Sequence, residues 1–372
     1  MEDLQFGREK NREYSTIVSL EPFAHQVGGH STLQLLDKFT VCKPLFTKEL
    51  RFYQDANPLF KPFLPEFKGV ARVRNVYGKD SGEGLWEMVN SNEDVNRHCY
   101  RYGKHCTSCT CIGNSERTGK RISNKGVDNR ISENFYRAAV SKDKDKNEDD
   151  SSLEYLLLEN VVGRYKYPCI LDLKMGTEKH RDYVISQEEQ SLRQARWDKT
   201  TSKSLGVRLC GMKVYHVNED RFLVVSDGRT LTVDGFKDAI KQFLFNGEQF
   251  RSDIIEPYLI TLRKLLYIME RQSAYRFFNS SLLLMYEGDK LREEPHRTVV
   301  GSRNNESNDH VTKDYESFAN VSVRMIDFAH VQCNTQNMNS EFPQVVDESY
   351  LFGLRSVIKI LEDILQELCV ST

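Results

Sequence analysis

A carboxylate and an ammonium two residues apart make the sharpest chemical feature of this sequence. In Tyr167-Pro168-Cys-Ile-Leu-Asp172-Leu-Lys174-Met-Gly176-Thr177 they are Asp172 and Lys174. On a strand that spacing puts both side chains on one face. Phosphoryl transfer uses such a pair, because the cation stabilises charge on the moving group while the carboxylate orients a hydroxyl or accepts a proton. An exposed strand face carrying a surface ion pair has the same spacing. In Met325-Ile-Asp327-Phe-Ala-His330 a lone carboxylate stands among apolar residues. Burying it is costly unless it is paired or bound to a metal, so Asp327 is a candidate magnesium ligand, with a helix cap or an Arg partner as the plainer alternatives. His330 is read as a catalyst or as a packed, hydrogen-bonded histidine.

Lys43 lies in Phe39-Thr-Val-Cys-Lys43-Pro. A lysine on such a strand either reaches nucleotide phosphates or is simply solvated. His98-Cys99 and His105-Cys106-x-x-Cys109-x-Cys111 bring together ligand types that suit zinc. A second well-spaced pair is missing, and free thiols in a loop are the competing reading. Residues 164 to 213 hold eleven Lys or Arg and six acidic residues, a local excess of five positive charges. An anionic substrate is drawn to such a region, although a solvated helix face has the same composition.

These residues need elements to hold them. Residues 14 to 75 are expected to form short strands of an antiparallel sheet, including Ser19-Leu-Glu-Pro-Phe, His25-Gln-Val before a Gly28-Gly29 hairpin turn, and 39–43 ending at Pro44. Residues 97 to 130 carry eight basic and two acidic residues, and residues 141 to 150 carry eight charges, so 90–152 is expected to be a mobile insertion. The apolar run 153–160 fits a buried strand. Helices are expected over 186–199, 234–244, 256–275 and 350–368, and strands over 208–215, 221–225, 278–286 and 321–331, with a loop at 289–320.

The chain has 372 residues, 52 Lys plus Arg, 54 Asp plus Glu, and a formal net charge of −2. No run approaches the roughly 18 apolar residues of a spanning helix, and the amino terminus has no apolar signal-peptide core. The expectation is a protein of the cytoplasm or nucleus, with no membrane insertion and no nucleic-acid partner. Nine cysteines, several of them in apolar runs, make structural disulfides unexpected.

The motif P-x-x-x-D-x-K-x-G, present from Pro168 to Gly176, resembles the signature of the inositol polyphosphate kinase family. Ser280-Ser281-Leu282-Leu283 and Ile326-Asp327-Phe328 match two further family elements in the expected order. Within the family, the inositol hexakisphosphate kinases are most similar, through Glu21 to His30, Thr40 to Leu45, Leu158 to Val161 and Leu205 to Tyr215. The resemblance implies an α+β, two-lobed kinase-like fold: a small antiparallel sheet lobe over 14–160, a larger α+β lobe over 161–372, and ATP in the cleft. It implies that Lys43 holds ATP phosphates and that Glu159 and Val161 meet adenine through backbone groups. Asp327 is implied to hold Mg2+, and Lys174 to bridge the transferred phosphate and the substrate. Asp172 is implied either as a ribose ligand or as a base. Ser281 and His330 are implied near the phosphates, and Arg208 and Lys213 as substrate ligands. The sequence departs from the family at Gly353-Leu-Arg355-Ser356, where Gly-Leu-Glu-Asn is usual, and at Lys213, where glutamine is more frequent.

The expected reaction is phosphorylation of inositol hexakisphosphate to a diphosphoinositol pentakisphosphate with ATP. The alternatives are a kinase acting on a free hydroxyl of a less phosphorylated inositol, and a non-catalytic inositol phosphate-binding scaffold with protein partners on the 90–152 insertion.

Overall fold

The structure, a computed structural model, describes residues 15–28, 32–75, 85–89, 109–110, 153–177, 187–289, 321–333 and 345–371. The chain divides into two compact units. One comprises Met1–Ala24, Ser31–Leu45 and Phe67–Glu159; the other comprises His25–His30, Phe46–Glu66 and Asn160–Thr372.

The first unit is built on an antiparallel sheet. Its strands are β1 (Ser15–Ser19), β2 (Glu21–Pro22), β3 (Gln34–Asp37), β4 (Thr40–Pro44), β5 (Phe67–Asn75), β6 (Leu85–Val89), β7 (Cys109–Thr110) and β8 (Leu153–Glu159), in the spatial order β2-β3-β4-β8-β5-β6-β1-β7. Alternation along the strands sends Cys42, Ala71, Val73, Tyr155 and Leu157 into one core cluster. Lys43 is therefore on the other face of β4, opposite Leu156, and is itself buried. His25-Gln-Val is not a strand. The chain leaves β2 at Pro22 and re-enters the sheet only at Gln34, and the intervening loop has another use, described below.

The second unit is centred on a five-stranded antiparallel sheet of order β11-β10-β9-β13-β14. The strands are β9 (Pro168–Met175), β10 (Val207–His216), β11 (Arg221–Val225), β13 (Ser281–Glu287) and β14 (Val321–Ile326), while β12 (Tyr275–Phe277) and β15 (Val331–Cys333) pair separately. Helices α1 (Thr47–Asp55), α2 (Gln187–Trp197), α3 (Thr201–Leu205), α4 (Val233–Phe243), α5 (Ile255–Glu270) and α6 (Glu348–Ser371) complete it. Leu171, Leu173, Leu209, Met212, Leu282 and Leu284 form one side of its core, and Phe236, Tyr258, Leu262, Leu354 and Leu361 from the helices form the other. Burial of this apolar surface is the main stabilising term. Asp347 caps α6 by accepting from Tyr350 N at 3.0 Å, and its other oxygen accepts from Phe277 N at 2.7 Å, which ties the helix start to β12. Arg355, the family departure in α6, pairs with Glu270 on α5 at 2.9 Å.

Several expected elements are shorter or divided. Thr47–Asp55, inside the stretch expected to be strands, is a helix. The helix expected to reach residue 275 ends at Glu270. Gln272 then bonds Tyr275 through both the backbone N–H and the carbonyl, at 2.9 and 3.0 Å, and turns the chain into β12. The strand expected over 278–286 starts only at Ser281, after Asn279 in the left-handed region (φ 54°). The expected strand 321–331 is broken at Asp327, which is also left-handed (φ 67°). Of the expected insertion, Cys109–Thr110 pair with β1; the rest of 90–152, and 290–320, lie outside the described residues.

Candidate active site

The central strand β9 sets the site. Its odd-numbered residues, Leu171, Leu173 and Met175, enter the core, so Asp172 and Lys174 share the opposite face. Cross-strand neighbours in an antiparallel sheet share a face. Lys174 is flanked by Arg208 on β10 and by Ser281 on β13, and Asp172 by Gly211 and Leu283. Lys213 pairs with Ile170 on the same face. Arg208 and Lys213 are five residues apart, which on an unbroken strand would send them to opposite faces. A register shift between Leu209 and Gly211 adds one residue to β10 and brings both cations to the side of Lys174.

The Lys174 ammonium donates to Asp327 Oδ2 at 3.0 Å and to the carbonyl of Asn279 at 2.9 Å. Both acceptors come from left-handed residues at turns flanking β13 and β14, so the breaks in the expected strands are what aim these oxygens at Lys174. The Asp327 turn is held from α1. Glu49, fully buried, accepts from Phe328 N at 3.0 Å, and Phe52 packs on the Phe328 ring with centroids 4.2 Å apart. The motif glycine, Gly176, has φ 94°, a conformation that a side chain would strain, and its N–H donates to Gly206 O at 2.7 Å to end β9.

Asp172 is 3% exposed. Burial pushes its carboxyl up to about 6, against the pull of Lys174 and with the help of Asp327. Ser281 is close enough to favour the charged form, and among the described residues Asp172 Oδ1 and Ser281 Oγ have no hydrogen-bond partner. A buried carboxylate oxygen and hydroxyl in that condition are groups that a ligand can satisfy. Over Asp172 lies Gly28, where a Cβ would stand 2.6 Å from Oδ2. Gly28 thus allows close approach to a carboxylate, and Gly29 lies outside the described residues.

Asp172, Lys174, Arg208, Lys213, Ser281 and Asp327 are thus brought to one sheet and its end in the second unit. His330 lies in the turn between Asp327 and β15, and Val161 in the turn after β8. Lys43 and Glu159 belong to the first unit, on β4 and at the end of β8. Three contributors had no signal in residue type or spacing: the Asn279 carbonyl, Glu49, and His25, whose Nδ1 is 3.2 Å from Lys213 Nζ. Among the described residues, no group of three or more His, Cys, Asp or Glu is placed to hold a metal ion. Of the zinc-type cluster at 98–111, only Cys109 lies within the described residues. The Asp327 carboxylate is an oxygen donor of the kind that a hard divalent cation takes together with ligand phosphates.

The model of the inositol polyphosphate kinase family matches residues 155–362. Inositol hexakisphosphate kinase 1 of Rattus norvegicus is 34% identical over 426 aligned positions, covering 99% of this chain and 98% of that protein. The human inositol hexakisphosphate kinases 2 and 3 are each 31% identical, over 94% and 93% of this chain and 96% and 95% of theirs. Among solved structures, the inositol phosphate multikinase of S. cerevisiae in complex with ADP and Mn2+ matches with a TM-score of 0.52 at 20% identity, covering 88% of this chain and 99% of that one, which establishes a shared fold. On these matches, the chain belongs to the inositol polyphosphate kinase family.

Proposed function

We propose that this protein transfers the terminal phosphoryl group of ATP to a phosphate of inositol hexakisphosphate, giving a diphosphoinositol pentakisphosphate. The observation that carries the reading is the near full-length likeness to inositol hexakisphosphate kinases, joined to a sheet face on which Arg208, Lys213 and Lys174 gather. By resemblance to the family, Lys43 would hold nucleotide phosphates, Glu159 and Val161 would meet adenine, and Ser281 and His330 would lie near the phosphates. Asp327 would hold Mg2+, which when bound neutralises charge on the phosphates.

An acceptor phosphate oxygen is already ionised at neutral pH, so the reaction depends on placing two anions in line rather than on a strong base. Lys174 is suited to this placement, because its ammonium is fixed at 2.9 and 3.0 Å by two oxygens and stabilises charge on the moving group. Asp172 then serves the nucleotide ribose. The second reading, transfer to a free inositol hydroxyl, would need a base, and a carboxyl raised to about 6 favours that role for Asp172. Chromatography of the products from a panel of inositol phosphates with ATP and magnesium separates the two readings. A product more anionic than inositol hexakisphosphate supports the first, and turnover only of substrates with a free hydroxyl contradicts it.

A further inference from the structure

Residues 25–28, which follow β2, lie against β9 and β10 of the second unit. Val27 O sits so close to Gly211 that a Cβ there would be 1.8 Å away, and Gln26 Nε2 holds the carbonyl of Gly28 at 3.0 Å. With Gly28 on Asp172, this seating delivers His25 to Lys213. His25 Nδ1 is 3.2 Å from Lys213 Nζ, the ammonium lies 4.3 Å from the centroid of the Phe222 ring, and the His25 and Phe222 rings meet edge-on at 6.3 Å. Burial, with the adjacent Lys213 charge, lowers His25 to about 4. Its ring is therefore neutral at physiological pH, and Nδ1 accepts from the ammonium.

We propose that His25 is a positioning residue for the anionic substrate, fixing the Lys213 ammonium on the sheet face that carries Lys174 and Arg208 so that it receives a substrate phosphate. The proposal rests on the kinase reading above. Its physical basis is the kind of acceptor. A lysine on a flexible four-carbon stem loses considerable rotamer entropy when a phosphate has to order it, so a side chain that orders it beforehand strengthens binding. A carboxylate doing this would offset part of the positive charge that the phosphate needs. A neutral imidazole nitrogen, aided by an aromatic face that attracts cations, orients the ammonium and leaves its charge intact.

The test compares apparent KM values for inositol hexakisphosphate and for ATP in the full-length protein and in H25N, H25F, K213A and H25F/K213A. His25→Phe keeps an aromatic ring beside Phe222 but removes the acceptor; His25→Asn keeps an acceptor near the Nδ1 position. The expected result is that H25F raises KM for inositol hexakisphosphate roughly three- to tenfold, with a smaller change for ATP. H25N should stay near wild type, and H25F should add nothing in the K213A background. An unchanged KM in H25F, or the same factor with and without Lys213, overturns the proposal. If H25F does not fold, H25D decides: its charge should raise the same KM, and an unchanged value overturns the proposal. If the wild type makes no diphosphate product, the kinase reading fails separately. The variants are then compared by calorimetric Kd for inositol hexakisphosphate, where an unchanged Kd in H25F again overturns the role of His25.

Discussion

Asp172 occupies a place where its own charge is unfavourable. Its carboxyl rises from about 3.8 in an exposed setting to about 6 in the fold, chiefly through burial. The native state therefore binds this proton more tightly than the unfolded chain does. That contribution to stability is complete below the unfolded value near 4 and is lost as pH rises through 6, so at neutral pH the ionised carboxylate weakens the native state. Asp172→Asn removes that penalty while keeping the shape. In thermal melts without nucleotide it should be more stable than wild type at about pH 7.5, by on the order of 2 kcal/mol, and should lose the advantage near pH 4. An equal or lower melting temperature at the higher pH would show that Asp172 is better solvated than its burial indicates. The same residue is expected to contribute to function, so D172N should gain stability and lose activity together.

Among the elements, one residue more or less decides which face a cation serves. The shared face of Asp172 and Lys174 was legible in the sequence because an alternating strand preserves it. The common face of Arg208 and Lys213 was not, since it depends on the extra residue near Cys210 and bulges leave no clear mark in residue type. The run 321–331 reads as one strand because its apolar residues continue past Asp327, yet the lone carboxylate marks the point where the chain turns to meet Lys174. Glu49 carries no sequence signal for a different reason: its partner, the N–H of Phe328, lies 279 residues away along the chain. The Gly28-Gly29 pair reads as an ordinary turn, whereas Gly28 is needed for approach to Asp172. Gly28→Ala places a methyl group 2.6 Å from Oδ2, so the loop or the carboxylate has to move. It should lower kcat/KM about tenfold or more with only a small change in melting temperature. Wild-type kcat/KM in the alanine variant would mean that the loop lifts away from Asp172 without consequence.

For the whole molecule, a net charge of −2 hides the distribution that matters. Lys174, Arg208 and Lys213 on one sheet face give the second unit a local positive field that the total averages away. That field should attract a highly charged inositol phosphate more strongly than a nucleotide and should be screened by salt. Raising ionic strength from about 0.05 to 0.3 M is therefore expected to increase KM for inositol hexakisphosphate several-fold more than KM for ATP; equal changes would place recognition in contacts other than charge. The central claim, that placement and charge stabilisation by Lys174 carry the transfer, has a direct measurement. The rate of diphosphoinositol product formation from inositol hexakisphosphate and ATP is compared for wild type and Lys174→Ala, with a thermal melt to show that both are folded. The account predicts a folded variant slowed by at least about a thousandfold, and undiminished turnover in that variant would contradict it.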